Sequence, residues 1–374
     1  MAFIRLGNIN KNLIPIVIGC VVCFLNRLLN LYKGTLLFKN AILLNICITF
    51  SRFLAIIPYI ILKIKSKQNQ NSDLNDIKDN QLEYIYIDNE QIIIQGKGRF
   101  LLLSGMIYLI QQNLYIASMD VKTNSWIWTL LFTAIFYYLL FKAQIYRHHY
   151  LSAILILLIG IAIDLVLGNL QNDIMNNFVF LVLKFIQQAL FSLYNVLGKY
   201  VMVKKFVSVY EFSTFVGAIN LFLLGIFVIF DYYFFKIDDY DEYFSNFNFM
   251  ELLVIFGVIF TQFGINLCSL FTVKDDSPCH MFIMFVFGQL AYYVNFDENS
   301  IFVFICLIII LFLSLIFSEI IELNFLGLSY NTKRNITERA RNEDDLLITK
   351  CDTIDSKNDK DENLIELNEN YTLN

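Results

Sequence analysis

The residues of this sequence that could do chemistry are polar side chains set at helical spacing inside strongly apolar segments. Positions in an i, i+4, i+7 order share one face of a helix, and three segments carry such a stripe. The stripes comprise Tyr108, Gln112 and Tyr115; Lys184, Gln188, Asn195 and Lys199; and Gln262, Asn266 and Ser269. Amide and phenol groups bind polar solutes by hydrogen bonds, so the stripes predict a shared cavity. The alternative is that these groups only bond neighbouring helices, for about 1 kcal/mol or less each.

Charged side chains inside apolar segments are a stronger signal, because a mid-helix arginine or lysine costs about 2.5–3.5 kcal/mol to insert into a membrane. Arg52 lies near the middle of its segment, and Lys184 lies close to the start of another. Either cation could hold an anionic group by a charge-assisted hydrogen bond. The alternatives are a structural ion pair or a shifted segment for Arg52, and snorkelling to the interface for Lys184. Glu211 opens a further segment, where it could pair with Lys199 or Lys205.

The predicted binding residues combine the stripes with the two cations. They are Arg52, Tyr108, Gln112, Lys184, Gln188, Asn195, Gln262 and Asn266. Catalytic residues are not predicted, because the sequence has only three histidines and shows no glycine-rich phosphate loop, metal-ligand cluster or nucleophile motif. Membrane desaturases and hydroxylases need many histidine ligands and are excluded on the same ground. We therefore expect no enzyme, no cofactor and no metal.

The composition requires a membrane around the elements that carry these residues. Hydrophobic residues make up 57% of the 374 positions and charged residues 16%, a balance that soluble domains do not show. A bilayer core about 30 Å thick needs roughly 20 apolar residues per helix. Ten runs of that kind occur, at 13–32, 38–63, 100–119, 124–143, 150–168, 178–200, 209–230, 249–272, 278–296 and 300–321. The predicted fold class is therefore all-α and integral to the membrane, with ten transmembrane helices.

Positive charges predict the orientation of these segments, because lysine and arginine concentrate in cytosolic loops. With a cytosolic N-terminus, the inner loops carry most of the basic residues and the longest outer loop, 231–248, is acidic. Arg27, Lys33 and Lys39 go against this rule. An even number of segments then leaves both termini in the cytosol. Residues 1–12 form the N-terminal segment, 66–98 a polar insert and 325–374 a polar, mostly disordered tail.

An internal repeat relates the two halves of the chain. Four residues of the first half fall on four of the second at a constant offset: Gly105, Val121, Lys122 and Ser125 on Gly257, Val273, Lys274 and Ser277. Each copy lies at the same place in a set of five segments. Because five is odd, the second copy must be upside down in the bilayer, and inverted repeats are the architecture of many secondary transporters. The predicted five-helix repeats are 13–170 and 178–324.

Several residues along the chain follow the pattern of a known family. They are Tyr108, Ile110, Gln111, Asn113, Leu114 and Ala117 in the third segment, Thr133, Ala134, Phe136 and Gly160 after it, and Gln188, Tyr194, Lys199, Tyr210, Glu211 and Gly217 in the second half. In these residues the chain resembles the drug/metabolite transporter superfamily, within it the EamA-like branch that holds the nucleotide-sugar transporters. The resemblance implies two inverted five-helix repeats, cytosolic termini, an endomembrane location and alternating access to a central site.

One departure from the family concerns the substrate. Nucleotide-sugar carriers commonly have a lysine in the fourth helix, where this sequence runs from Thr129 to Thr133 without one. The stretch from Thr272 to Pro278 is more similar to orphan relatives of the family, including those near the chloroquine-resistance transporter branch. The substrate therefore stays open within the class of small polar metabolites.

The predicted function is a secondary transporter that moves a small polar, anionic metabolite, nucleotide-sugar-like or related, by exchange or proton coupling. The expected location is the Golgi, the endoplasmic reticulum or a vacuolar or endolysosomal membrane. Its expected partners are the metabolite and the lipid bilayer; nucleic acid is not expected, and a homodimer is left open. The alternative is a non-transporting membrane scaffold or trafficking protein that acts through the insert and the tail.

Overall fold

The fold, seen in a computed structural model, is built almost entirely from α-helices. The structure describes residues 4–6, 13–30, 41–73, 97–118, 123–142, 146–230, 249–291 and 298–323. The helices are α1 Leu13–Asn30, α2 Ala41–Phe53, α3 Ile56–Asp73, α4 Lys97–Ala117, α5 Trp128–Phe141, α6 Arg147–Val166, α7 Asn169–Asn176, α8 Phe178–Lys204, α9 Val209–Phe230, α10 Phe249–Asp275, α11 Met281–Leu290 and α12 Glu298–Phe317. A short 3-10 helix, Ser125–Ile127, leads into α5. Two strands, β1 Ile4–Leu6 and β2 Ile321–Leu323, pair antiparallel.

The predicted membrane character is confirmed in its general form. Among the described residues, five helical stretches are long and apolar enough to cross a membrane: Ile42–Lys65, which comprises α2 and the start of α3, Arg147–Val166, Phe178–Lys204, Val209–Ile229 and Phe249–Asp275. Within the described residues, four further apolar helices are shorter: Leu13–Leu29, Ser125–Phe141, Met281–Leu290 and Ile301–Phe317. Each of the ten predicted segments contains a helix, but the number of crossings stays a prediction.

Some boundaries differ from the prediction. The second segment consists of two helices, because the chain turns at Leu54 and Ala55 between α2 and α3. Pro58 has no N–H with which to bond the Leu54 carbonyl, which instead accepts the N–H of Ile57 at 3.1 Å. Helix α3 then runs to Asp73, so its last residues lie within the predicted insert 66–98. The rest of the insert that precedes α4, and the predicted tail, lie outside the described residues.

The helices of the first half pack mainly on those of the second. Helix α8 packs on α4 and α5, and α1 packs on α10 and α11. Helix α2 packs on α9 and α10, α4 also packs on α9, and α6 packs on α12. Two hydrophobic clusters fill these contacts, one around Tyr108, Tyr194 and Phe212 and the other around Ile156, Phe282 and Ile310.

The bundle has two ends. At the terminal end, β1 pairs with β2, so the segments that precede α1 and follow α12 are neighbours. The end of α8 and the end of α10 also meet there, since the Nζ of Lys199 donates to the carbonyl of Asp276. The start of α6 meets the end of α12 at the same level, where His148 contacts Glu319. The opposite end, the far end, holds the starts of α5, α8 and α10.

Two buried carboxylates fix the chain at the far end. The Oδ2 of Asp173 in α7 accepts the backbone N–H of Thr123 at 2.6 Å and its hydroxyl at 2.5 Å. The carboxylate of Asp164 in α6 accepts the backbone N–H of Asn124 at 3.0 Å and its side-chain amide at 2.7 Å. Buried acceptors with matched donors are strongly directional. The start of α5 is thereby held against α6 and α7.

Candidate functional site

A cavity of about 630 Å³ lies between helices of both halves, in the half of the bundle nearer the far end. Side chains from α1, α2, α4, α5, α8, α10 and α11 line it. It reaches towards the far end at Tyr115 near the end of α4 and Lys184 near the start of α8. In the opposite direction, the fully buried side chains of Val201, Met202 and Val273 fill the bundle. The cavity is therefore closed on the side of the terminal end.

All eight sequence-predicted site residues line this one cavity. They are Arg52, Tyr108, Gln112, Lys184, Gln188, Asn195, Gln262 and Asn266. The three stripes thus come together from α4, α8 and α10, although the positions come from distant parts of the chain. Their role in binding a solute stays a prediction.

Arg52 is the most constrained of these residues. Its Nη1 donates to the Oη of Tyr194 at 2.6 Å, and its guanidinium carbon lies 3.9 Å from the centroid of the Tyr108 ring. The two rings contact each other, with centroids 5.2 Å apart. A cation on an aromatic face in a desolvated site gains up to about 2 kcal/mol. The two tyrosines therefore hold the guanidinium of a residue that is only 6% exposed.

A close helix contact places the backbone of Arg52. Gly217 of α9 packs directly on the end of α2, so that a Cβ at position 217 would lie 2.6 Å from the backbone nitrogen of Phe53. The hydroxyl of Ser213, one turn earlier in α9, donates to the carbonyl of Arg52 at 3.1 Å. Only a residue without a side chain permits this approach. Helix α9 therefore sets the depth at which Arg52 enters the cavity.

Neither sequence-based alternative for Arg52 describes its surroundings fully. No described residue places a carboxylate within salt-bridge distance of its guanidinium. The Nε of Arg52 is buried and has no hydrogen-bond partner in the described part of the chain. The Oε1 of Gln111 and the Oγ of Ser269, which also line the cavity, are buried and unpartnered in the same sense. Three of the nine such groups in the described part of the chain thus belong to residues that line the cavity.

Gln188 mainly connects helices. Its Oε1 accepts the hydroxyl of Thr129 at 2.6 Å, and its Nε2 donates to Gln187 at 2.8 Å and to Ser125 at 3.4 Å. In addition, the hydroxyl of Ser192 donates to the Thr129 carbonyl at 3.0 Å. These bonds tie α8 to the start of α5. Gln188 is thus satisfied by protein groups although its side chain borders the cavity.

The other predicted amides are held more loosely. The Nε2 of Gln112 donates to the Tyr108 hydroxyl at 2.8 Å, and the Nδ2 of Asn266 donates to the Ser51 hydroxyl at 3.1 Å. Asn195 donates to the Phe191 carbonyl of its own helix at 2.8 Å. Each amide keeps its carbonyl oxygen for other donors. The arrangement offers a polar solute several acceptors beside the cation.

The sequence analysis missed several residues that line the cavity. They include Asn26, Arg27, Gln111, Gln187 and Gln289. The sequence analysis noted Arg27 only as a charge that opposes the orientation rule, and Gln111 only as a residue of the family pattern. These residues could have been found by the same criterion as the predicted ones, because each is a polar side chain inside an apolar segment.

The cavity has a one-sided charge. Arg27, Arg52 and Lys184 line it, and none of the described residues that line it is acidic. Lys184 also interacts electrostatically with Asp173 and Asp164, which lie outside the lining. Glu211 does not pair with Lys199 or Lys205 as expected; its carboxylate lies 2.7 Å from the Nζ of Lys97 at the terminal end. The sequence favoured pairing within the second half, whereas α9 packs on α4.

Comparison with known proteins adds no family to this geometry. Neither the models of protein families nor the curated proteins include a match to this chain. The functional argument therefore rests on the cavity itself. Its features are a stacked arginine, two further cations, many amides and three unsatisfied buried groups.

Proposed function

We propose that this protein is a secondary transporter that carries a small polar, anionic metabolite by alternating access, with the cavity as its binding site. The observation that carries the proposal is the buried Nε of Arg52, which no described residue satisfies. A guanidinium presents a planar edge that matches a carboxylate or phosphate. An oxyanion bound on this edge would supply the missing partner and the missing charge.

The other lining groups support an anionic metabolite rather than a simple ion. A volume of about 630 Å³ is within the usual range for organic ligands. Amides from α4, α8 and α10 offer both donors and acceptors, and Tyr115, Trp126 and Phe285 add apolar faces. Sugars, nucleotides and hydroxy acids all combine an oxyanion with further polar groups. The nucleotide-sugar-like class remains part of the proposal.

The helix contacts support two inverted repeats of five helices. If α1, α2, α4, α5 and α6 correspond to α8, α9, α10, α11 and α12, then the contact of α4 with α8 corresponds to that of α10 with α1. The contact of α5 with α8 likewise corresponds to that of α11 with α1, and that of α2 with α10 to that of α9 with α4. Ser125 and its counterpart Ser277 lie at opposite ends of the bundle. An inverted pair of repeats produces this arrangement.

Among the described residues the cavity reaches towards the far end and is closed towards the terminal end, which supports a carrier rather than a channel. The apolar seal on the side of the terminal end would have to open to release a solute there, while the far end closed. Rocking of two repeats about a central site accomplishes this exchange. We propose, from the distribution of lysine and arginine, that the terminal end is cytosolic and the membrane an endomembrane. In this orientation the closed side of the cavity faces the cytosol.

Exchange in proteoliposomes tests the proposed function. Purified full-length protein is reconstituted into proteoliposomes whose interior contains an unlabelled anion. Uptake of a radiolabelled nucleotide sugar, dicarboxylate, amino acid or peptide is then measured. We expect saturable exchange of at least one anion, unchanged when 331–374 are deleted. No saturable exchange of any of these solutes would contradict the proposal, and loss of a bound partner on deleting 331–374, without any exchange, would favour the scaffold.

Two variants locate the binding charge. Arg52→Gln removes a charged hydrogen-bond donor worth about 1.5–3 kcal/mol, so we expect the Km for the anion to rise roughly 10-fold to 100-fold. Arg99→Gln removes the same charge from an exposed position near the start of α4 and serves as the matched control. We expect its Km to equal that of the wild type. Equal Km values for the two variants would remove Arg52 from the site.

A further inference from the structure

All three histidines of the chain lie at the terminal end, where two of them contact each other. His148 and His149, at the start of α6, have ring centroids 4.0 Å apart. Their Nε2 atoms lie 3.1 Å and 3.7 Å from the same oxygen of Glu319. His280, in the turn before α11, interacts electrostatically with His149 and with Glu319. We call these four residues the histidine cluster.

Glu319 is held in an unusual backbone conformation. It follows the end of α12 with a φ of 58°, in the left-handed region. The N–H of Glu319 donates to Ile316 and that of Ile320 to Leu315, which is the hydrogen-bond pattern of a helix C-terminus that normally uses glycine. Lys142 and Phe206 adopt the same φ region, so the conformation alone assigns no role to Glu319. Here the side chain reaches the two imidazoles.

The histidine cluster joins the two halves of the bundle where the cavity is closed. His148 and His149 belong to the first half, and Glu319 and His280 to the second. On the next helices, the Nζ of Lys199 donates to the carbonyl of Asp276, and both residues interact electrostatically with His280. Opening the terminal end would separate α6 from the end of α12 and expose the cluster to water.

The geometry suits protons better than a metal ion. The ligand atoms of His148, His149 and Glu319 lie within 4.8 Å of one another, close enough to share a cation. However, the Nδ1 of His149 accepts the N–H of Tyr146 at 3.2 Å, so the neutral ring carries its proton on Nε2, facing Glu319. A metal-bound histidine instead donates from its other nitrogen to an acceptor. The Nδ1 of His148 is buried and has no such partner in the described part of the chain.

The charges around the cluster limit how many imidazoles can be ionised. The charges of Lys199 and Asp276 offset each other, so Glu319 can balance one imidazolium. The aromatic ring of Tyr146 faces both His148 and His149, and a phenol is neutral near pH 7. His148 is 4% exposed and its ring lies against that of His149, so burial and mutual repulsion favour two neutral imidazoles while the terminal end is closed.

Two further titratable groups near Lys199 do not change this balance. Its Nζ lies 5.7 Å from the centroid of the Tyr137 ring, and the thiol of Cys279 is also within electrostatic range. Phenols and thiols are mostly neutral between about pH 5 and pH 7.5. The imidazoles are thus the groups whose charge changes in this interval.

We propose that the histidine cluster is a proton site that controls the terminal end, so that proton uptake by its imidazoles favours opening. The inference rests on the proposed alternating access and assigns a ligand, the proton, to a site away from the cavity. The closed state keeps two imidazoles neutral, and the hydrated open state lets them charge near their ordinary pKa of about 6.5. Closure is therefore favoured above that pH and lost as the pH falls.

The size of the effect follows from the same argument. For each imidazole that is neutral in the closed state and free to charge in the open one, the open-to-closed ratio rises about tenfold between about pH 7.5 and about pH 5.5. Two such imidazoles give roughly a hundredfold rise. If the terminal end is cytosolic, acid in the cytosol would favour the state that releases solute there.

Alkylation of Cys279 measures this opening directly. Its thiol is 7% exposed beside His280. Full-length protein in detergent is treated with a maleimide, and the alkylation rate at Cys279 is measured. We define protection as the rate in the unfolded chain divided by the rate in the folded protein at the same pH. This ratio removes the pH dependence of the thiol itself. We expect protection to fall at least tenfold between about pH 7.5 and about pH 5.5. Cys47 in α2, 4% exposed and part of a separate apolar cluster, must keep its protection over the same range.

Variants and added metal decide the interpretation. The double variant His148→Gln, His149→Gln keeps hydrogen-bonding side chains and should lose most of the pH response, whereas Glu319→Gln should lower protection at every pH. The proposal would be overturned if protection of Cys279 in the wild type did not change with pH, or if the double variant showed the same pH response as the wild type. It would also be overturned if Cys47 lost its protection in parallel with Cys279. Protection that follows added Zn²⁺ and is abolished by a chelator at constant pH would replace the proton by a metal. No solute is needed, so failure here leaves the exchange assay to judge the transporter separately.

Discussion

The contact between Gly217 and the end of α2 gives a prediction that can be worked out from distances. In Gly217→Ala the new Cβ would lie 2.6 Å from the Phe53 nitrogen and 2.9 Å from its Cα, against 3.4–4 Å for an ordinary contact. The obstacle is backbone, which cannot rotate away as a side chain can. Helices α9 and α2 must separate by roughly 0.8 Å, and overpacking of this kind costs about 1–3 kcal/mol.

Gly225, two turns later in α9, provides the matched control. A Cβ there meets no atom within 4 Å. Both substitutions gain helix propensity, up to about 1 kcal/mol, so the difference between them isolates the contact with α2. At about 2 °C per kcal/mol for a large domain, Gly217→Ala should unfold about 2–6 °C below Gly225→Ala. Differential scanning fluorimetry at one scan rate measures this order, because large proteins often unfold irreversibly.

The same substitution should weaken anion binding. A shift of α2 moves Arg52 away from Tyr108 and Tyr194, so the Km for the transported anion should rise in Gly217→Ala and not in Gly225→Ala. Equal melting temperatures for the two variants would refute the close contact. A lowered melting temperature with an unchanged Km would show that the contact stabilises the fold without positioning Arg52.

Two further predictions separate structural from binding roles. Asp173→Ala leaves two buried donors of Thr123 without their acceptor, so it should destabilise the protein by about 2–4 kcal/mol. Asp275→Ala, at an exposed site, should have almost no effect on the melting temperature. Equal melting temperatures for the two variants would contradict the far-end contact. Gln188→Leu should lower the melting temperature by about 2–4 °C, because it breaks the bonds to the start of α5. Gln262→Leu should instead raise the Km for the solute at constant stability, and a reversed order of the two would show that their roles were misassigned.

The helices could be predicted because apolar runs determine them. The turn between α2 and α3 was missed although Pro58 signals it, since a single proline near the start of a helix is compatible with a continuous span. The far-end contacts of Asp164 and Asp173 were also missed. Asp173 lies in a polar stretch between two segments, where a carboxylate is expected to be solvated. Asp164 lies among apolar residues of the fifth segment and carried the signal of an intramembrane charge.

The cavity could be predicted only in part. The i, i+4 spacing shows which side chains share a face, so Tyr108 and Gln112 could be grouped, but it does not show which face meets a cavity. Which face meets a cavity depends on how the helices pack. Packing is also the reason why Gln188 is bonded to other helices while Gln262 borders the cavity. Only the adjacent pair His148 and His149 of the histidine cluster is visible in the sequence, because Glu319 is far away along the chain and reaches the pair through the contact of α6 with the end of α12.

The charge preference of the cavity is the most direct test of the central claim. Purified protein is heated with matched solutes that differ only in charge: a dicarboxylate, its diamide and the corresponding diamine. A ligand at about 100 times its Kd stabilises the folded state by about 2.7 kcal/mol, or roughly 5 °C. We expect this shift for at least one anion of a metabolite panel in the wild type and in Arg99→Gln, with little or none in Arg52→Gln. Stabilisation by the diamine, or by the anion to the same degree in Arg52→Gln, would contradict an anion-binding cavity.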